Sequence, residues 1–280
     1  MVRDRLLAAS ALSGPANPVA GAAGDRVSTG IAELDQLLSG GYPARRTVVL
    51  CGGPGTGKTT LAMQFLLDGL AHGEPGAFVT VDQKPQHLID DASRLQMDLR
   101  LAIEKGVLAV LDASPYFTAC RTEHGPHGAI DARQVAADLV REISKVGARR
   151  LVIDSISSLM LPQMSNADIQ DFLRSMMFAL EDNSGCTTLM TCRTRRSDVQ
   201  GVCEAARSLA SGVIDLRMVR ERGQIVRKLR LSKMRGTPIQ PSDYVFTMEP
   251  GWGVMFAETV RSAAIGNRRI STAVLAHDVG

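Results

Sequence analysis

Residues Gly52-Gly53-Pro54-Gly55-Thr56-Gly57-Lys58-Thr59 have the spacing G-x-x-x-x-G-K-T, and Thr60 follows. A β-rich run, Thr47 to Cys51, precedes them, and an apolar, helix-like run from Leu61 to Leu70 comes next. Strand, loop and helix in that order are the setting in which a P-loop works. Glycines let successive N–H groups turn inward around phosphate oxygens with no Cβ in the way. The start of the helix adds partial positive charge. Lys58 is predicted to reach the β- and γ-phosphates, and the Thr59 hydroxyl to ligate Mg2+. The candidate phosphate-binding residues are therefore Gly52, Gly53, Gly55, Thr56, Gly57, Lys58, Thr59 and Thr60. The pattern implies a bound nucleoside triphosphate.

Asp154 closes the apolar run Leu151-Val152-Ile153. A carboxylate at the end of a buried strand, downstream of a P-loop, has the place of a Walker B aspartate that holds Mg2+ beside Thr59. Hydrolysis also needs a group that orients and deprotonates water near the γ-phosphate. Asp82 is the candidate, because it ends the next strand after the P-loop. Gln83 beside it can orient water but cannot accept its proton. The blander alternative is that each aspartate only caps a helix.

These groups need a scaffold, and the hydrophobic pattern supplies one. Ser28 or Thr29 is placed to cap a short helix, Ile31 to Leu38, that ends at Gly40-Gly41. Ala77 to Val81, Val107 to Leu111, Leu151 to Asp154 and Thr187 to Thr191 read as strands. Pro85 to Met97, Asp131 to Val146 and Ala167 to Glu181 read as helices between them. In the last of these, Met176, Met177 and Phe178 read as core. Alternation of this kind implies a parallel sheet covered on both faces. Val213 to Val219, Ile225 to Lys233, Tyr244 to Met248 and a piece near Val254 follow without helices, which implies an antiparallel extension.

Composition narrows the class. No apolar run approaches the ~18 residues needed to span a bilayer, so no membrane role is expected. Five cysteines lack C-x-x-C spacing, which argues against a zinc site or disulfide framework and for a reducing, cytoplasmic setting. His124 and His127 share a loop but have no third ligand nearby. The net charge of +3 is uneven: from Arg193 to Arg235 there are twelve basic and four acidic residues. Such a segment calls for an anionic partner or an oligomer interface, unless it is simply a solvated face. Residues 1–25 read as a disordered N-terminal extension and 259–280 as a flexible tail, leaving 26–258 as the folded domain.

Four blocks resemble the KaiC-like branch of the RecA/RadA ATPases. They are the opening segment STGIAELDQLLSGGYP, the P-loop with its helix GGPGTGKTTLAMQFL, the strand VIDSISSL, and the C-terminal SGVIDLRM…LRLSKMRGTPIQPSDYVFTMEPGWGV. The resemblance runs from about Arg26 to Phe256. It implies a single-domain RecA-like P-loop NTPase fold, ATP and Mg2+ as cofactors, and a homo-oligomeric, hexameric ring with ATP between subunits. It also implies that Lys233 and Arg235 act as fingers on the neighbour's γ-phosphate, beside Lys58 and Asp82 as catalytic groups.

The departures from the family pattern bear on turnover. Asp82 and Gln83 stand where the family has paired glutamates, Ala210-Ser211-Gly212 replaces Ala-Asp-Gly, and Arg193 occupies a commonly acidic position. The expectation is a slow ATPase whose nucleotide state regulates a protein partner. The alternatives are a DNA-binding recombination factor using Arg193, Arg195 and Arg196, and a non-hydrolysing nucleotide switch. The absence of aromatics near those arginines counts against DNA.

Overall fold

The computed structural model describes residues 25–114, 132–159, 164–194, 201–221, 223–240 and 242–256. A small ribbon, β1 (Arg26–Val27) with β2 (Tyr42–Pro43), brackets α1 (Ala32–Leu37). Then β3 (Thr47–Gly52) feeds α2 (Lys58–Ala71), and β4 (Gly76–Thr80) feeds α3 (Pro85–Arg94) and α4 (Arg100–Glu104). Next come β5 (Leu108–Asp112), α5 (Ala132–Lys145), β6 (Arg150–Asp154), a 3-10 turn at Ile156–Ser158, α6 (Asn166–Asn183), β7 (Thr187–Arg193) and α7 (Val202–Leu209). The chain ends in β8 (Gly212–Glu221), β9 (Gln224–Met234), β10 (Asp243–Glu249) and β11 (Gly253–Phe256).

Nine strands form one sheet in the order β11-β10-β9-β8-β3-β7-β6-β4-β5. From β8 to β5 every pairing is parallel, and β9, β10 and β11 continue antiparallel. Successive side chains of a strand face opposite ways, and β3 shows the result. Its Val49 and Cys51 pack with α5, α6 and α7, whereas Val48 and Leu50 pack with α1, α2 and α3. Both faces are thus covered, as a parallel sheet requires. Cys51, Cys192 and Cys203 meet in the first layer, with the Cys203 and Cys51 sulfurs 3.2 Å apart. Among the described residues no helix is long and apolar enough to cross a membrane.

Arg150 anchors the amino end of β6. Its side chain is 2% exposed. It donates to Asp68 Oδ2 at 2.9 Å, to Glu74 Oε2 at 2.7 Å and to the Phe65 carbonyl at 2.7 Å. Gly69, inside α2, makes room for it: a Cβ there would lie 2.4 Å from Arg150 Nε. A mid-helix glycine ordinarily costs ~1 kcal/mol, and here the close approach of a guanidinium explains it.

Local details correct the sequence reading. The residue capping α1 is Ile31, without a side-chain bond. Thr29 instead donates its N–H to Asp35 Oδ1 at 2.7 Å. Met176 and Met177 are core, but Phe178 is 51% exposed. The short helices α4 and α7 have no counterpart in the sequence reading, which passed from the Pro85–Met97 helix to the Val107–Leu111 strand at the first and from strand to strand at the second. His124, His127, Arg195 and Arg196 lie outside the described residues.

Candidate functional site

β3, β4, β6 and β7 deliver their candidate groups at the carboxyl end of the parallel sheet, where ligands bind in open α/β folds. β3 ends at Gly52, β4 at Thr80 just before Asp82, β6 at Asp154 and β7 at Arg193. Register fixes their spacing. Gly52 pairs with Arg193 and Thr80 with Asp154. With strands ~4.8 Å apart, four chemical groups far apart in sequence share one rim.

The P-loop backbone has the shape the motif needs. Gly57 stands at φ 101° as the residue capping α2, with no side-chain cap bond. The first-turn N–H groups of a 14-residue helix are therefore left for an anion. A Cβ on Gly57 would lie 2.7 Å from Met248 Sδ, and one on Gly52 would lie 2.6 Å from the Leu216 carbonyl. Thr56 donates its hydroxyl to Gly53 O at 2.9 Å and tightens the loop.

Lys58 Nζ donates to Gly52 O at 2.9 Å and to Gly53 O at 2.8 Å. Burial holds its ammonium below the ordinary lysine range; Asp154 opposes that shift and Arg193 adds to it. A phosphate therefore offers this cation the counter-charge that two carbonyls do not.

The Thr59 hydroxyl donates to Asp154 Oδ2 at 2.6 Å. The other carboxylate oxygen, Oδ1, accepts from the Thr191 hydroxyl. One hydroxyl and one carboxylate side by side suit Mg2+, which keeps several waters and takes its remaining ligands from phosphate. No cluster of three or more acidic, histidine or cysteine side chains suited to a metal occurs among the described residues. An all-protein cage is thus not the chemistry of this site.

Asp82 is heavily engaged. Ser155 donates to its Oδ2 at 3.0 Å, Ser158 donates to its Oδ1, and Arg193 Nη2 lies 2.8 Å from Oδ2. Ser157 accepts the Arg193 N–H at 2.9 Å, which completes the ring of contacts. Arg227 of β9 adds a cation at the loop's outer wall, its Nε 3.4 Å from Gly55 O.

Lys233 and Arg235 are elsewhere. Met234 pairs with Gly212, and Gly212 with Val48, at the amino end of β3. That is four residues, or about 13 Å of strand, from Gly52. Lys233 Nζ donates to the carbonyls of Arg207 at 3.0 Å and Ser208 at 2.9 Å, capping the end of α7. Arg235 is exposed, and no ion pair involves it among the described residues. Neither side chain serves its own P-loop. Within the basic segment Arg207 pairs with Asp215 and Lys228 with Glu221, and Asp243, from outside it, meets both Arg217 and Arg230.

The sequence reading did not find Thr191, Ser155, Ser158 or Arg227. The serines carried a faint signal, since three of them crowd the four residues after Asp154.

Comparison with known proteins gives the family. A family model described as ATPase: KaiC matches residues 27–260. A UPF0273 protein of Methanopyrus kandleri is 33% identical over 219 residues, covering 76% of this chain and 84% of its own. The circadian clock oscillator protein KaiC of Parathermosynechococcus lividus is 32% identical over 227 residues, 79% of this chain but 40% of its own length. The crystal structure of a KaiC-like protein from Pyrococcus horikoshii superposes with a TM-score of 0.69 at 29% identity, covering 83% of this chain and 98% of that one. With its P-loop, aspartates and sheet order disposed as described, the chain belongs to the KaiC family of ATPases.

Proposed function

We propose that this chain binds Mg·ATP at Gly52–Thr60, holds the metal with Thr59 and Asp154, and hydrolyses ATP slowly with Asp82 as base. The observation that carries this reading is the convergence of Lys58, Thr59, Asp154 and Asp82 on one rim of the sheet. Mg2+, once bound, neutralises charge on the β- and γ-phosphates. The chain's own part is to orient the phosphates through the loop N–H groups and Lys58, and to take a proton from water at Asp82. The slow rate is supported by the donors that already occupy that carboxylate.

Lys233 and Arg235 serve a neighbour in a homo-oligomeric, hexameric ring, and the state of the bound nucleotide regulates a protein partner. Their distance from their own P-loop supports action in trans. Arg235 is the stronger finger, because Lys233 is spent on helix carbonyls.

Nucleotide titration and native mass spectrometry test the reading together. Wild type should bind Mg·ATP and assemble, and Lys58→Ala should lose ATP. Unchanged affinity in Lys58→Ala would refute the assignment.

A further inference from the structure

Neither the phosphate loop nor the metal pair requires Arg193. Its backbone is nonetheless firmly held: it lies in register with Gly52, its N–H donates to Ser157 Oγ at 2.9 Å, and the next N–H, of Thr194, donates to Gly52 O at 3.2 Å. From there its guanidinium crosses the end of β6 and meets Asp82 at 2.8 Å. The pair faces water, with the two side chains 42% and 26% exposed. Exposed pairs of that kind contribute little to stability. They exchange readily for a stronger partner.

A terminal phosphate is such a partner. It carries more charge than a carboxylate, and an arginine fork grips it with two parallel hydrogen bonds. Arg193 stands in register with Gly52, whose carbonyl Lys58 Nζ reaches at 2.9 Å, so both cations rise from the same end of the sheet. Asp154 does not compete for the guanidinium, since two threonine hydroxyls occupy it. Asp82 gains from the exchange. With Arg193 withdrawn, its Oδ2 keeps only the Ser155 donor and has room for a water.

We propose that Arg193 is a cis-acting ligand of the ATP terminal phosphate, and that it leaves Asp82 to bind that phosphate. This rests on the reading that the chain binds Mg·ATP at its P-loop. One residue then both selects triphosphate over diphosphate and restrains the base until a triphosphate has arrived. ADP, which lacks the terminal group, leaves the Asp82–Arg193 pair closed.

The test is a titration of ATP and of ADP against the full-length wild type, Arg193→Ala and Asp82→Asn, with Lys58→Ala as the reference. A charge-assisted hydrogen bond contributes ~1.5–3 kcal/mol, so Arg193→Ala should weaken ATP about tenfold or more and leave ADP nearly unchanged. Asp82→Asn removes the competing charge and should tighten ATP severalfold without affecting ADP. In the double variant the gain from Asp82→Asn should vanish. An ATP-to-ADP preference unchanged in Arg193→Ala overturns the proposal, as does a gain that survives in the double variant. Nucleotide binding lost in Lys58→Ala alongside either result leaves the P-loop reading standing. Binding that ignores Lys58→Ala brings both down.

Discussion

Thr59 donates its hydroxyl to Asp154 across 2.6 Å, although the two are ninety-five residues apart in the chain. The first turn of α2 and the end of β6 are thereby fixed to each other. On the proposed reading, magnesium would enter at that contact. Asp154→Asn keeps a polar acceptor for Thr59 but removes the charge a hard cation needs. The expected outcome is loss of the Mg2+-dependent part of ATP affinity, about tenfold or more, with metal-free binding nearly unchanged. Titrations with and without a chelator measure it. Equal losses in both conditions would mean that Asp154 only supports the loop.

Asp82 should matter for turnover and not for ATP capture. Removing general-base help typically costs ~10²–10⁴-fold in rate. Asp82→Asn should show such a loss in single-turnover hydrolysis while ATP affinity is maintained or improved. Asp82→Glu, longer by one methylene, should turn over faster than wild type. A normal rate in Asp82→Asn would leave the residue as a mere anchor for Ser155, Ser158 and Arg193.

Arg235 tests assembly. Arg235→Ala should bind ATP with ordinary affinity and hydrolyse it poorly, because its own P-loop is intact. Mixing it with Lys58→Ala should restore part of the activity, since some interfaces then pair a good P-loop with a good arginine. A strictly monomeric species at saturating Mg·ATP with wild-type turnover contradicts this.

Arg150 tests the scaffold. Arg150→Ala takes the guanidinium from Asp68, leaving it the Ser28 hydroxyl, and removes the donor to the Ser28 and Phe65 carbonyls beside a void. Breaking a buried ion pair in this way costs ~3–5 kcal/mol, and a urea melt should show it. Gly69→Ala, which raises helix propensity at most sites, should destabilise here, because its Cβ would meet the same guanidinium.

What the sequence disclosed follows a physical divide. β4, β5 and β6 were legible because each holds a short apolar run that ends in a polar residue. The P-loop was legible because its chemistry is local: eight residues suffice to build it. α7 was not, since its eight residues make only about two turns, and two of its three buried side chains, Cys203 and Ala206, are small. Arg150 reads as a charged residue before a strand, and only the fold brings Asp68 and Glu74 to it. The same holds for Asp82 and Arg193. Each is visible alone, but their pairing depends on β6 lying between β7 and β4, which no local pattern encodes.

The P-loop and Arg235 sit at opposite ends of the same sheet, and that gives the chain a direction. If each site is completed by the next copy's arginine around a ring, the contacts run head to tail. An open chain of copies always ends in one unfinished site. A pair is half competent, and only closure makes the number of working sites equal to the number of subunits. Specific activity per subunit should therefore rise with the degree of assembly and level off when the circle closes.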